Sequence, residues 1–154
     1  GIKPSALGVC IGIVIGLVAI TPAAGFVTVP NSLVIGAVAA IVSRLCIEWR
    51  TKSQVDDTLD VFPSHGIGGM VGMILTGVFA NKAINSAVEN NGLFYGETTL
   101  FKAHIIGLIG TAIFILVFAV ILLKVTDLIT PLRVTEEEEE VGLDESQHGE
   151  KLSY

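Results

Sequence analysis

Residues 103–123 form a run of twenty-one side chains in which His104 is the only ionisable group. About twenty apolar residues, each rising about 1.5 Å along a helix, match the roughly 30 Å hydrocarbon thickness of a bilayer. Three further stretches behave similarly, at 6–20, 32–47 and 61–80. A backbone in lipid must satisfy its own hydrogen bonds, so spans of this length are helices. With 51% hydrophobic residues in 154, the chain reads as an all-α, polytopic membrane helical bundle. The expected helices lie at about 6–21, 32–48, 61–80 and 100–125, within a transmembrane region 1–130. The first two stretches are short or glycine-rich, so they require neighbours to cover them.

The net charge of −6 is confined to one end. Residues 1–130 carry seven basic and seven acidic side chains, whereas 131–154 carry Arg133 and Lys151 against eight acids. Residues 131–154 are therefore an acidic C-terminal tail. No basic stripe exists, which argues against nucleic acid as a partner. Lys3, the Arg44, Arg50 and Lys52 cluster, Lys124, Arg133 and Lys151 fall on one side of four alternating spans, and only Lys82 and Lys102 on the other. Positive charge collects on the cytoplasmic side. That side is expected to hold the tail, in a multi-pass protein of the cell membrane.

Local signals divide the spans. The opening Gly1-Ile2-Lys3-Pro4-Ser5 has neither an initiator methionine nor a signal peptide, and reads as a loop entering a helix within the C-terminal portion of a longer protein. Ser5 is the expected N-cap. Gly8, Gly12 and Gly16, and later Gly68 and Gly72, repeat every four residues, placing small faces where a neighbouring backbone can come close. Pro22 and Gly25 end the first helix, and Pro30-Asn31-Ser32 starts the second. Asp60 is the expected N-cap of the third, with Pro63 tolerated in its first turn. Asn90-Asn91-Gly92 marks a turn in the polar loop 81–99. Cys10 and Cys46 read as small buried hydrophobes rather than a disulfide.

His65 is the only ionisable residue among the twenty from 61 to 80. An intramembrane titratable group marks a pathway, a partner or a cavity, although near a helix end it can simply cap or pack. Val61, one turn earlier, lies on the same face.

Three segments resemble the ammonium transporter (Amt/Mep/Rh) family. The first runs Gly16-Leu17-Val18-Ala19-Ile20-Thr21-Pro22-Ala23-Ala24-Gly25-Phe26-Val27. The second contains Asp56-Asp57-Thr58-Leu59-Asp60-Val61-Phe62, His65-Gly66, Gly68-Gly69-Met70-Val71-Gly72 and Leu75-Thr76-Gly77-Val78-Phe79-Ala80. The third comprises Leu132-Arg133-Val134, the glutamate run, Gly142-Leu143-Asp144 and His148-Gly149-Glu150. The resemblance implies the last four of eleven transmembrane helices, in a homotrimer with one pore per subunit. It places His65 as the second of two hydrogen-bonded pore histidines, with Val61 and Thr21 in the pore wall. The first histidine, the recruitment site and the phenylalanine gate belong to a part not in this chain. The resemblance also implies a regulatory tail, here Gly142, Asp144, His148, Gly149 and Glu150, and leaves room for a cytoplasmic P-II-type signal protein. Pro63-Ser64 stands where many relatives carry glycine and a small apolar residue, and Lys151-Leu152-Ser153-Tyr154 departs from the usual ending.

The chemistry fits ammonium or ammonia as cargo and needs no cofactor or metal. An unpaired cation is costly in an apolar passage, whereas neutral ammonia is not. Imidazole can carry the separated proton because its two nitrogens donate and accept, with a reference pKa of about 6.5. Bland readings stand beside these. Thr21 can bond its own backbone, Val61 can be packing, His104 interfacial, and the glutamate run an extended segment. Functionally, transport competes with an ammonium sensor on the same fold and with an unrelated channel gated by His65. About thirty residues after Lys124 are too few for a typical signalling domain, which favours transport over a sensor; no enzymatic activity is expected.

Overall fold

A computed structural model describes residues 5–151; Gly1 to Pro4 and Leu152 to Tyr154, with the readings made on them, lie outside the described residues. The described residues are helical, with no strand among them. The elements are α1 (Ala6–Ile20), α2 (Val29–Thr51), α3 (Gly68–Phe79) preceded by a π-helical turn (Phe62–Ile67), α4 (Thr99–Ile129), and the short α5 (Glu136–Val141) and α6 (Leu143–His148). Four helical segments are long and apolar enough to cross a membrane: Ala6–Ala23, Val29–Thr51, Phe62–Phe79 and Thr99–Ile129. The expected count and order of spans hold. α2 begins three residues earlier than expected because Thr28 caps it, its hydroxyl accepting from the Asn31 N–H, with Pro30 in the first turn. α4 runs four residues beyond the expected end.

The chain forms two compact units, one ending at Gly110 and one beginning at Thr111. In the first, α1, α2 and α3 pack on one another around Ile15, Ala19, Ala23, Ile35 and Ala39. Ser5 caps α1 as expected, its Oγ accepting from the Gly8 N–H at 3.0 Å. α1 tightens into a 3-10 turn at Thr21–Ala23, and Gly25 takes φ +81° to release the chain.

The two small faces have different fates. At Gly72 a Cβ would sit 2.2 Å from the Ala19 carbonyl oxygen, so α3 lies directly on α1 backbone. At Gly12 and Gly16 nothing comes within 4 Å, and the expected close approach is not made. The four-residue repeat defined a face but not the helix that would meet it; the core of α1 uses the neighbouring Ile15, Ala19 and Ala23 instead. Cys10 also departs from expectation: it is exposed on α1 and unpaired, while Cys46 is half-buried and unpaired.

The start of α4 joins this unit where Gly77 faces the Phe101 Cα and the His104 Cβ, each 3.1 Å from where a Gly77 Cβ would stand. His104 Nδ1 lies 2.8 Å from the Met73 carbonyl oxygen. Gly92 is wedged against α3, its N–H donating to the Ala80 carbonyl and its missing Cβ leaving room for the Val78 carbonyl.

In the second unit, the glutamate run is not extended. Thr135 and Glu138 form a reciprocal capping box that starts α5, and acids fill a first turn where a helix N-terminus favours them. Gly142 (φ +101°) turns the chain into α6, and Gly149 (φ +68°) closes it.

Candidate pathway site at the head of the third span

The site begins where α2 ends. After Thr51 the chain folds back on itself: Ser53 Oγ donates to the Arg50 carbonyl and accepts from the Val55 N–H. Asp57 then reaches forward. Its two carboxylate oxygens accept from the Val61 and Phe62 N–H groups at 2.9 and 2.8 Å, satisfying donors that a helix start leaves orphaned. These two bonds, and then the nearby Arg50 guanidinium, hold the Asp57 carboxyl below its ordinary range.

The cap is therefore Asp57 and not Asp60. Asp60 adopts φ +52°, a left-handed conformation open to Asp at modest cost, and its carboxylate pairs with Arg50 Nη2. Predicting Asp60 as the cap assumed that the chain enters the helix in extended form. The left-handed turn at Asp60 instead directs its carboxylate to α2.

The first turn of the third span is wide. Residues Phe62–Ile67 are π-helical, a rare geometry found often at functional sites. Pro63 sits in this turn, where its missing N–H removes no needed bond. Gly66 lets the Phe62 ring lie against the backbone, since a Cβ there would meet its Cδ2 at 3.0 Å.

His65 projects from this turn and is exposed, with Nδ1 2.8 Å from Ser64 Oγ. Beside it, Val61 is 50% exposed. Both line an open cavity of about 590 Å³ with Trp49, Val55 and Phe62, and with Asp57 among its polar lining residues. A single imidazole thus borders a mainly apolar recess with Arg50, Asp56 and Asp57 also at its lining. Thr21 is not part of it. Its Oγ1 donates to the Leu17 carbonyl at 2.8 Å, the backbone habit that rivalled a pore role.

The tail residues form a helical hairpin. Glu138 binds the Thr135 backbone and hydroxyl and accepts from Gln147 Nε2, and its backbone carbonyl accepts from Ser146 Oγ. Arg133 donates two bonds to Glu139. Bonding to Thr135 lowers the Glu138 carboxyl, and the Arg133 bond lowers that of Glu139. Gly142 is the bend, Asp144 offers its carbonyl to the Glu150 N–H, and His148 ends α6 before Gly149. The sequence carried a missed signal for this hairpin: Thr135 followed three residues later by Glu138 is a capping-box pattern. Among the described residues, no group of three or more His, Cys, Asp or Glu side chains could hold a metal ion.

Comparisons of sequence and of fold point the same way. Residues 2–153 match the family model described as Ammonium Transporter Family. An ammonium transporter of Bacillus subtilis is 45% identical over 150 residues, covering 97% of this chain and 37% of that protein. One from Archaeoglobus fulgidus is 43% identical, covering 99% and 38%. The chain therefore spans under two-fifths of the length of these curated relatives. The crystal structure of Saccharomyces cerevisiae Mep2 superimposes with a TM-score of 0.83 at 33% identity, covering 96% of this chain and 34% of that one.

Proposed function

This chain belongs to the ammonium transporter family, and from that membership we propose that it forms part of a membrane pathway for ammonium or ammonia, in which His65 handles the proton. The chain is a multi-pass membrane protein, and its relatives carry transporter names. The observation that carries the reading is the pairing of His65 and Val61 at one apolar recess, on a span with no other ionisable group.

The physical logic is a division of cost. Ammonium surrenders a proton where polar groups can receive it, and ammonia, which has no charge to desolvate, crosses the apolar stretch. An imidazole accepts on one nitrogen and donates from the other, so it can pass the proton on while holding the neutral molecule. A second histidine from a facing helix would complete the relay. Val61 narrows the passage beside His65. Thr21 contributes to the wall in this reading through its exposed end of α1, its hydroxyl proton being committed to Leu17.

The reading includes a homotrimer, a cytoplasmic C-terminus, and a tail that regulates transport through Gly142, Asp144, His148, Gly149 and Glu150, with a P-II-type signal protein as one candidate regulator. A sensor on the same fold is the alternative.

The test is uptake and substrate-induced current in vesicles holding the protein that contains this chain, at pH values either side of the ordinary imidazole pKa of about 6.5. His65→Ala should abolish coupled transport while the protein still assembles. His65→Glu should retain charge movement with altered selectivity. If both variants match the parent at every pH, His65 is a packing residue and the proposal fails.

A further inference from the structure

The loop between α3 and α4 closes on one carboxylate. Glu97 Oε2 accepts from the Asn91 N–H at 3.0 Å, and Oε1 accepts from Asn91 Nδ2 at 2.7 Å. Lys82 Nζ stands 3.6 Å from Oε1. Asn91 Oδ1 accepts in turn from the Lys82 N–H at 3.0 Å, so both ends of the Asn91 carboxamide are held. The Asn91 side-chain bond does most to keep the Glu97 carboxyl below its ordinary range, and the clasp is charged at neutral pH.

Gly92 follows Asn91, and an asparagine before glycine is where a chain most readily attacks itself, because glycine has no side chain to shield its nitrogen. The Gly92 nitrogen adds to Asn91 Cγ and the Cγ–Nδ2 bond breaks. Ammonia leaves carrying the Gly92 proton, and water opens the cyclic imide to aspartate or isoaspartate. Here each participant is restrained. The Gly92 N–H donates to the Ala80 carbonyl at 2.7 Å. Gly92 is buried and lies so close to the Val78 and Gly77 carbonyls that no Cβ would fit. The carboxamide that must swing toward its nitrogen is anchored to Glu97 and Lys82.

We propose that Asn91 is a latent modification site: the Glu97 clasp blocks its deamidation while the loop is closed, and after a reaction in the opened loop the carboxylate left at position 91 keeps the clasp from re-forming. The reason is charge. Nδ2 donates to Glu97 Oε1, whereas an ionised carboxylate in its place only accepts and sets like charges at hydrogen-bond distance. The change is irreversible. It is felt at the foot of the third span, because the neighbour that seats Gly92 against Val78 is no longer tied down. This loop lies at the opposite end of the span from His65, and the inference asks nothing of the pathway.

The experiment ages the protein that contains this chain in lipid vesicles at neutral pH, beside the free peptide 83–102, which trypsin releases by cutting after Lys82 and Lys102. Mass spectrometry of the digests reads the amide-to-acid change at position 91. In the protein it should be at least about tenfold slower than in the peptide, because the reaction needs a local opening that two bonds to an ionised carboxylate oppose. Glu97→Ala should bring the rate close to that of the peptide, whereas Asn85 and Asn90, in the same fragment, should not change. If Glu97→Ala does not assemble, Glu97→Gln, which keeps one acceptor oxygen and loses the charge, takes its place and should fall between. Equal rates in parent and peptide, or no gain in the Glu97 variant, overturn the proposal. Asn91→Asp supplies the product directly. Its Gly92 amide should exchange with deuterium much faster than in the parent, and unchanged protection there overturns the claim that the clasp stays open.

Discussion

Adding one methyl at Gly72 should separate two helices. The Cβ of Gly72→Ala would sit 2.2 Å from the Ala19 carbonyl oxygen and 2.9 Å from Ala19 C and Cα, whereas ordinary contact starts at 3.4 Å. These are backbone atoms of a packed helix and cannot swing aside, so α3 must retreat from α1 by roughly 1 Å. A gap of that size forfeits about a quarter to half of each facing contact, and in lipid such contacts are the main force holding helices together. Overpacking costs about 1–3 kcal/mol, and the unyielding partner puts this site at the upper end. Alanine returns up to about 1 kcal/mol of helix propensity, leaving a net loss of about 2 kcal/mol. Gly69→Ala is the matched control: its Cβ would meet only Val18 Cγ1, at 3.9 Å, so it should be neutral or gain a few tenths of a kcal/mol from propensity. Unfolding the lipid-reconstituted chain with SDS, followed by fluorescence of its single tryptophan, Trp49, compares the two. Equal midpoints, or a larger loss at Gly69, would refute the close α1–α3 contact.

Two other outcomes follow from the site and the tail. Asp57→Ala should speed hydrogen exchange at the Val61 and Phe62 amides, while Asp60→Ala should leave both protected; the reverse result would return the capping role to Asp60. In the tail, Glu138 and Glu139 both titrate below the ordinary 4.5. Their contribution to the α5–α6 hairpin is thus fully present above pH 4.5 and lost as pH falls through their lowered values. Backbone amide shifts of α5 should stay constant from neutral pH to about that point and then collapse together, and collapse near neutrality would contradict the assignment.

What the sequence made legible was whatever depended on residues near one another in the chain. The spans followed from apolar length, the Ser5 cap from its place before an apolar run, and the end of α1 from Pro22 and Gly25. Partnerships were harder. Gly72 and Gly12 share the same spacing, yet only one meets a backbone, because spacing cannot say which helix crosses there. Asp60 was the expected cap, but a left-handed turn sends its carboxylate to Arg50 and leaves the Val61 and Phe62 N–H groups to Asp57. The π-helical turn had no pattern to announce it beyond Pro63. For the site, the sequence put Val61 and His65 on one face because one helical turn separates them, and both line one recess. Thr21 belongs to another span and does not line that recess.

The third span is held at three levels. Arg50 grips Asp60 at its head, Ala19 abuts Gly72 at its middle, and Gly92 is wedged against Val78 at its foot. A rod fixed at its middle alone would be a seesaw. His65 lies seven residues from Gly72, about 10 Å along a helix, so a tilt of about 10° there would carry the imidazole by about 2 Å, far outside hydrogen-bond tolerance. The clamps at head and foot oppose such a tilt from both ends. His65 is thus mounted on a stator, and any change in the width of the recess beside it falls to the surface that faces it.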